Sequence, residues 1–138
     1  MIEIESAGRG AFLISRKVRR GDTPQSGDAA LVRDLGRLFA AMNRRHFKGA
    51  LPVAPIRLTG RFRRKLAELR QVDGEAGIVW LVFSRHHVAT ATAERIRDTM
   101  GHEMVHLYQQ HNGQPVRHDA MFKAKARDMG IDDGACER

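Results

Sequence analysis

The stretch MGHEMVHLYQQ, residues 100–110, decides how the rest of the chain is interpreted, because it contains His102, Glu103 and His106 in the order HExxH. On an α-helix, residues four apart lie about 40° apart around the axis and about 6 Å apart along it. Two imidazoles placed in this way can bind one Zn²⁺, and the intervening glutamate can act as a general base toward a water at the metal. The pattern therefore predicts a metal site with Glu103 as its catalytic residue.

The same short pattern also arises by chance on solvated helix faces. Four apolar residues keep helical spacing along this stretch: Ile96, Met100, Met104 and Leu107. They predict a helix over residues 92–110 that packs this stripe on the core, with the two histidines on roughly the opposite side. One face can then anchor the helix while the other holds a metal.

A catalytic zinc takes three protein ligands, so a third is needed. The candidates downstream are His111, His118 and Asp119. His111 lies about 140° around the helix from His106 and points elsewhere if the helix continues. Residues 112–115 read as a helix end followed by a proline, which lets the chain turn back over the site. The sequence favours His118 as the third ligand, with Asp119 as the alternative.

Length and composition indicate one domain of 138 residues with a single cysteine, Cys136. One cysteine excludes an internal disulfide framework and a cysteine-built zinc site, and it indicates a reducing, cytoplasmic compartment. No apolar run approaches the roughly 18 residues of a membrane span. A membrane is therefore not an expected partner. The HExxH motif favours a protein or peptide substrate, the charge favours nucleic acid, and the oligomeric state stays open.

The charge is strongly basic, with 24 Lys and Arg against 16 Asp and Glu and a formal net charge of +8. This imbalance favours DNA as a partner, and then a nucleoid-associated location, although a basic pI can also serve solubility alone. Three clusters are the candidate phosphate contacts. They are Arg16, Lys17, Arg19 and Arg20; then Arg44, Arg45 and Lys48; then Arg61, Arg63, Arg64 and Lys65.

The remaining pattern predicts an α+β fold: an N-terminal helix, a small and mainly antiparallel sheet, the HExxH helix and a C-terminal helix. The expected elements are a helix from Asp28 as N-cap to Phe47, strands at 56–59 and 78–83, a segment at 61–72 that fits either a helix or a hairpin arm, and a helix at 119–129. Three parts are expected, namely a basic segment at 1–27, the domain at 28–130 and a short tail at 131–138. Trp80 is interpreted as packing, and His46, His86 and His87 as surface or hydrogen-bonded residues.

Three segments in order resemble the SprT-like family, the zinc metalloprotease domain also found in Spartan. They are LFAAMNRRHFKGALP at 38–52, GHEMVH at 101–106 and RHDAMFKAKARDMG at 117–130. The resemblance covers about residues 31–130 and implies a minimal zincin with one zinc ion held by His102, His106 and His118 and with Glu103 catalytic. It also implies removal of proteins crosslinked to DNA. The chain departs from the family where Asp119 and Ala120 replace a common Gly-Pro pair, and one cysteine cannot build the zinc ribbon that many bacterial members append.

Three functions compete. The first is a zinc-dependent endopeptidase that acts on DNA-associated or DNA-crosslinked proteins. The second is a DNA-binding or structural protein on a zincin scaffold, for which Glu103→Gln would change nothing. The third is a general peptidase that is independent of DNA, for which neutralising Arg61, Arg63 and Arg64 would leave cleavage unaltered.

Overall fold

A three-stranded sheet lies at the centre of the fold in the computed structural model, which describes residues 23–71 and 79–131. Its strands are β1 (Ile56–Thr59), β2 (Ala67–Gln71) and β3 (Val79–Ser84), in the order β1-β3-β2. The pair β2 and β3 is antiparallel, whereas β1 and β3 are parallel. The sheet is therefore mixed, because the chain passes from β1 to the far edge and reverses before it enters the middle as β3.

Strand β3 is buried on both faces, as its continuous apolar run predicts. Leu81, Val82 and Phe83 have no exposed surface. Trp80, on the same strand, is half-buried, and the Arg57 guanidinium lies 5.1 Å from its ring centroid. The packing interpretation of Trp80 fits this position in the sheet.

The described residues form four helices: α1 (Asp28–Phe47), α2 (Arg85–Thr90), α3 (Ala93–His111) and α4 (Ala120–Met129). The first three contact the sheet, whereas α4 packs mainly against α3. Together with the mixed sheet these helices confirm the α+β fold class. Helix α1 places Leu35, Phe39 and Met42 in the core at helical spacing. It ends at Phe47, and its C-cap Lys48 adopts the left-handed conformation with φ of 55°.

The start of α1 differs from the prediction by one residue, because Gly27 and not Asp28 is the N-cap. Asp28 makes a different contact. Its two carboxylate oxygens accept hydrogen bonds from Arg85 Nε at 2.9 Å and Nη2 at 3.0 Å. This bidentate pair, in which both side chains are less than a fifth exposed, joins the first turns of α1 and α2.

Helix α2 was not predicted, because its six residues carry no apolar periodicity. It forms because Ser84 ends β3 and caps the next turn, accepting a hydrogen bond from His87 N at 3.2 Å. The adjacent residues His86 and His87 then lie in different environments. His86 is exposed, whereas His87 is buried with its Nε2 2.8 Å from Thr99 Oγ1.

The ambiguous segment is resolved in favour of the hairpin arm, since residues 67–71 form β2. The basic cluster at 16–20 and Cys136 lie outside the described residues. None of the helices within 23–71 and 79–131 has the length and apolarity to cross a membrane.

Candidate metal centre

Helix α3 carries two of the histidines that meet in the structure. Thr92 Oγ1 accepts a hydrogen bond from Arg95 N at 3.2 Å and fixes the start of the helix. His102 and His106 follow one turn apart and are only 2% and 9% exposed. The prediction placed them opposite the apolar anchor, and the structure adds that α4 covers this second face, so the helix is buried all round from residue 99 to residue 107.

The third histidine, His118, lies at the site because α3 ends and the chain turns back. The helix ends at His111, and Gly113, with φ of 70°, turns the chain back. His118 then lies over α3, with its Nε2 2.9 Å from His102 Nε2 and 3.1 Å from His106 Nε2. The structure thus brings together the three histidines that the sequence selected.

The three imidazoles fit a metal ion. Ligands at about 2.0 to 2.1 Å from a tetrahedral zinc lie about 3.4 Å from one another, close to the separations of His118 Nε2 from His102 Nε2 and His106 Nε2. Burial, and then the neighbouring His106 and His118, lower the pKa of His102 to about 3. This imidazole is therefore neutral at pH 7 and keeps a lone pair for a cation. Three converging nitrogens, two of them on buried rings, form a donor set that transition metals prefer.

Phe122 of α4 packs against all three imidazoles. Its ring centroid lies 4.8 Å from those of His102 and His106 and 4.7 Å from that of His118. Phe122 has no exposed surface, so its ring separates the histidines from the core behind it. We call these four side chains, His102, His106, His118 and Phe122, the histidine seam.

Glu103 is 3% exposed on α3, next to His102. Burial, and then the negative charge of Glu68, raise the pKa of Glu103 to about 8, against a smaller opposing effect of Lys65. Glu68 lies on β2 and accepts hydrogen bonds from Lys65 Nζ at 2.6 Å and from Arg70 Nη2 at 2.8 Å. The edge strand β2 is therefore electrostatically coupled to the HExxH glutamate, and a cation at the seam would favour the ionised form of Glu103.

A family model described as SprT-like matches residues 35–137, a span that contains Glu103 and the whole histidine seam. The chain belongs to the SprT-like family. Comparisons with curated proteins and with solved structures gave no match. Family membership and the seam together make this a metalloprotease-type domain with three histidines that can hold a metal ion.

The departure of this SprT-like chain from the usual Gly-Pro pair has a structural explanation. Asp119 Oδ1 accepts a hydrogen bond from Phe122 N at 3.0 Å, which makes Asp119 the N-cap of α4. That hydrogen bond is also the main reason why the pKa of Asp119 is lowered. Asp119, the alternative third ligand, therefore starts the helix that carries Phe122, and His118 immediately before it lies at the seam.

The Asn of the first SprT-like segment also has a defined role, which spacing alone did not reveal. Asn43 is buried near the end of α1, and its side chain makes two hydrogen bonds with the Leu51 backbone, both 3.1 Å long. These bonds hold the link from α1 to β1 in place. A buried amide in an otherwise apolar helix face is the sequence signal for such a contact.

The candidate His111 and two other polar aromatic residues, Tyr108 and His46, lie away from the seam. His111 is exposed at the end of α3, and Tyr108 packs against Phe47 with ring centroids 5.8 Å apart. His46 is half-buried at the end of α1, where burial and nearby cations lower its pKa. Neither His111 nor His46 is grouped with the seam histidines in the described part of the chain.

Two of the three basic clusters fall within the described residues. Arg44, Arg45 and Lys48 are exposed at the end of α1. The third cluster occupies the loop at 60–66, which we call the basic loop, and lines a cavity of about 550 Å³ together with α2 and the first turn of α3. Arg95, which the sequence did not single out, contributes a further cation to this cavity.

Proposed function

We propose that the protein is a zinc-dependent endopeptidase that acts on DNA-associated or DNA-crosslinked proteins. The observation that carries the proposal is the convergence of His102, His106 and His118 beside Glu103 in a member of the SprT-like family. A purely structural metal site has no use for the HExxH carboxylate. The proposed location is the cytoplasm, at DNA.

The chemistry divides between the metal and one carboxylate. A zinc ion held by the three imidazoles would act as a Lewis acid toward the peptide carbonyl and would lower the pKa of a bound water to about 7. A Glu103 carboxylate oxygen takes the proton of the attacking water and delivers it to the leaving amine. Phe122 packs against the rings of His102, His106 and His118 and restricts their orientation.

The substrate chain can bind as an extended strand along β2. This strand pairs with β3 on one side and forms an edge of the described sheet. An edge strand offers backbone N–H and C=O groups to an incoming peptide, which gives affinity with little dependence on sequence. Glu68 on the same strand is electrostatically coupled to Glu103, so a peptide on β2 would pass the proposed catalytic group.

Support for the DNA part comes from charge and position. Arg63 and Arg64 are exposed in the basic loop and line a cavity with Arg95. Lys65 of the same loop bonds to Glu68 on β2. Phosphates bound at this cavity would place a DNA-associated protein beside the strand that we propose for the substrate.

The decisive experiment measures cleavage of a DNA-binding protein by the purified, zinc-loaded protein with and without added DNA. Glu103→Gln is the test variant, since it keeps the size of the side chain and removes the base. His111→Ala is the matched control, an exposed histidine on the same helix. Cleavage that needs DNA, is lost in Glu103→Gln and persists in His111→Ala would support the proposal.

The other outcomes identify the alternatives. Cleavage that is indifferent to DNA indicates a general peptidase. A protein that binds zinc and DNA but cleaves nothing in any condition is a DNA-binding or structural protein on this scaffold. Reconstitution with manganese or cobalt, compared with zinc, then identifies the working metal, because histidine sites accept several divalent ions.

A further inference from the structure

Gln109 lies one turn after His106 on α3 and has no exposed surface. Its side-chain amide bonds in two directions. Its Oε1 is 2.9 Å from His106 Nδ1, and its Nε2 donates a hydrogen bond of 2.8 Å to the Arg117 carbonyl oxygen. Arg117 N also donates to Gln109 Oε1 at 3.3 Å, so one amide contacts both backbone polar groups of the residue before His118.

The direction of the amide follows from its partners. The Arg117 carbonyl and the Asp119 carboxylate, which lies 3.4 Å from Gln109 Nε2, can only accept hydrogen bonds. The NH₂ group of Gln109 therefore points toward the 117–119 loop, and its carbonyl oxygen points toward His106. Since that oxygen only accepts, His106 Nδ1 must carry the proton and His106 Nε2 must carry the lone pair.

His102 provides an internal comparison. Its Nδ1 is buried and has no hydrogen-bond partner among the residues that the structure describes. The two helix histidines are thus supported differently: packing holds His102, whereas a hydrogen bond that also selects the tautomer holds His106. The bond to Gln109 leaves the lone pair of His106 on the side of the seam, where its Nε2 lies 3.1 Å from His118 Nε2.

The geometry points to Gln109 as a positioning residue that sets the tautomer of His106 and, through the Arg117 backbone, the position of His118. The inference rests on the proposed zinc site and deepens it by naming the residue that couples its helix ligand to its loop ligand. Outer partners of this kind orient metal-binding histidines, and their loss typically weakens metal affinity by about 10- to 100-fold.

The test compares zinc affinity in three variants, measured by competition with a chromophoric chelator on metal-free protein. Gln109→Met keeps the length and helix propensity of the side chain and removes all of its hydrogen bonds. Gln109→Glu keeps an acceptor for His106 Nδ1–H. Gln110→Met makes the same chemical change one residue later and is the matched control. Thermal unfolding of each metal-free variant measures any structural damage separately.

We expect Gln109→Met to bind zinc about 10- to 100-fold more weakly, Gln109→Glu to recover affinity to within about tenfold of the unmodified protein, and Gln110→Met to match it. Imidazole nitrogen NMR should show the His106 Nδ1–H tautomer in the unmodified protein and in Gln109→Glu. A mixture of tautomers is expected in Gln109→Met. A merely structural Gln109 would lower the melting temperature without changing the tautomer.

Several results would overturn the inference: zinc affinity in Gln109→Met equal to that of Gln110→Met, no recovery in Gln109→Glu, or an unmodified protein that binds no zinc. If Gln109→Met does not fold, the tautomer of His106 in Gln109→Glu against the unmodified protein decides the question. Failure of the proposed protease function is distinguishable, because a protein that binds zinc with the expected ranking but cleaves nothing retains the role of Gln109 and loses only the catalytic assignment.

Discussion

The histidine seam and the basic loop are both rich in functional residue types, yet they are built in opposite ways. In the seam, every histidine ring lies within 4.8 Å of the Phe122 ring, and His102 is 2% exposed. In the basic loop, Arg63 and Arg64 are exposed beside an open cavity. Coordination requires atoms at fixed separations, whereas attraction to phosphate requires only charge near a surface, and the two regions follow this difference.

The difference predicts how substitutions should behave. A side chain in the seam is packed, so its loss leaves a cavity or an unpaired polar group. An exposed arginine contributes little to folding, and its loss changes only what the surface attracts. Stability and metal binding should therefore depend on the seam, and the salt dependence of DNA binding on the loop.

The largest expected effect is that of Phe122→Ala. Removing a fully buried aromatic ring should lower the free energy of unfolding by about 3 to 5 kcal/mol, since the neighbouring rings cannot fill the space. Urea unfolding of metal-free protein measures it, with the exposed neighbour Lys123→Ala as control, for which a change within about 0.5 kcal/mol is expected. Equal effects of the two variants would mean that the seam is not packed as described.

Next in size is His118→Ala, which removes the exposed member of the seam. Losing a ligand should cost more than losing an outer partner, so zinc affinity should fall by more than about 100-fold while the metal-free protein stays folded. His111→Ala, also an exposed histidine, should bind zinc as the unmodified protein does. Chelator competition distinguishes the two, and similar affinities would exclude His118 as a ligand.

The sequence predicted the features that depend on residues close together in the chain, and it missed those that depend on residues far apart. Spacing within α3 predicted the helix and the pairing of His102 with His106, because a helical period is local. The choice of His118 depended on the turn residues that end α3, which are local as well. The parallel pairing of β1 with β3 was missed, since it depends on how strands far apart in the chain order themselves.

The buried polar partners were also beyond local patterns. Gln109 entered the sequence argument only as part of the stretch at 100–110, and Asn43 only as part of a resemblance. Their roles depend on Arg117 and Leu51, each eight residues away and brought close by a turn. A buried glutamine or asparagine in an amphipathic helix can be flagged from sequence, but its hydrogen-bond partner can be identified only from the folded structure.

A smaller effect is expected at His87, which lines the cavity of the basic loop and bonds to Thr99 of α3. Burial, and then the charges of Arg95 and His86, lower the pKa of His87. The unfolded chain takes up a proton near pH 6.5 and the folded chain resists it, so this group costs stability as the pH falls below about 6.5. The loss is at most about 1.4 kcal/mol for each pH unit.

His87→Gln keeps a hydrogen-bond donor for Thr99 and does not titrate. The difference between the two proteins therefore measures the contribution of His87 to the pH dependence of stability, separately from the other histidines. Urea unfolding at pH 7.5 and pH 5.5 should show a smaller loss of stability in His87→Gln than in the unmodified protein. An identical loss in both proteins would mean that His87 is protonated in the fold as easily as in the unfolded chain, which would contradict its burial.

The smallest effect for each residue is expected in the basic loop, where Arg63→Ser combined with Arg64→Ser should weaken DNA binding without altering the melting temperature. Each lost phosphate contact lowers the slope of log affinity against log salt by about 0.9 for duplex DNA, so the double variant should lower it by about 2. Fluorescence anisotropy over a salt series measures the slope.

The control is the double variant Arg33→Ser with Arg37→Ser, which removes the same charge from the exposed side of α1 and should leave the slope unchanged. If both double variants changed the slope equally, net charge alone would attract DNA, and the basic loop would lose its proposed role while the seam kept its own.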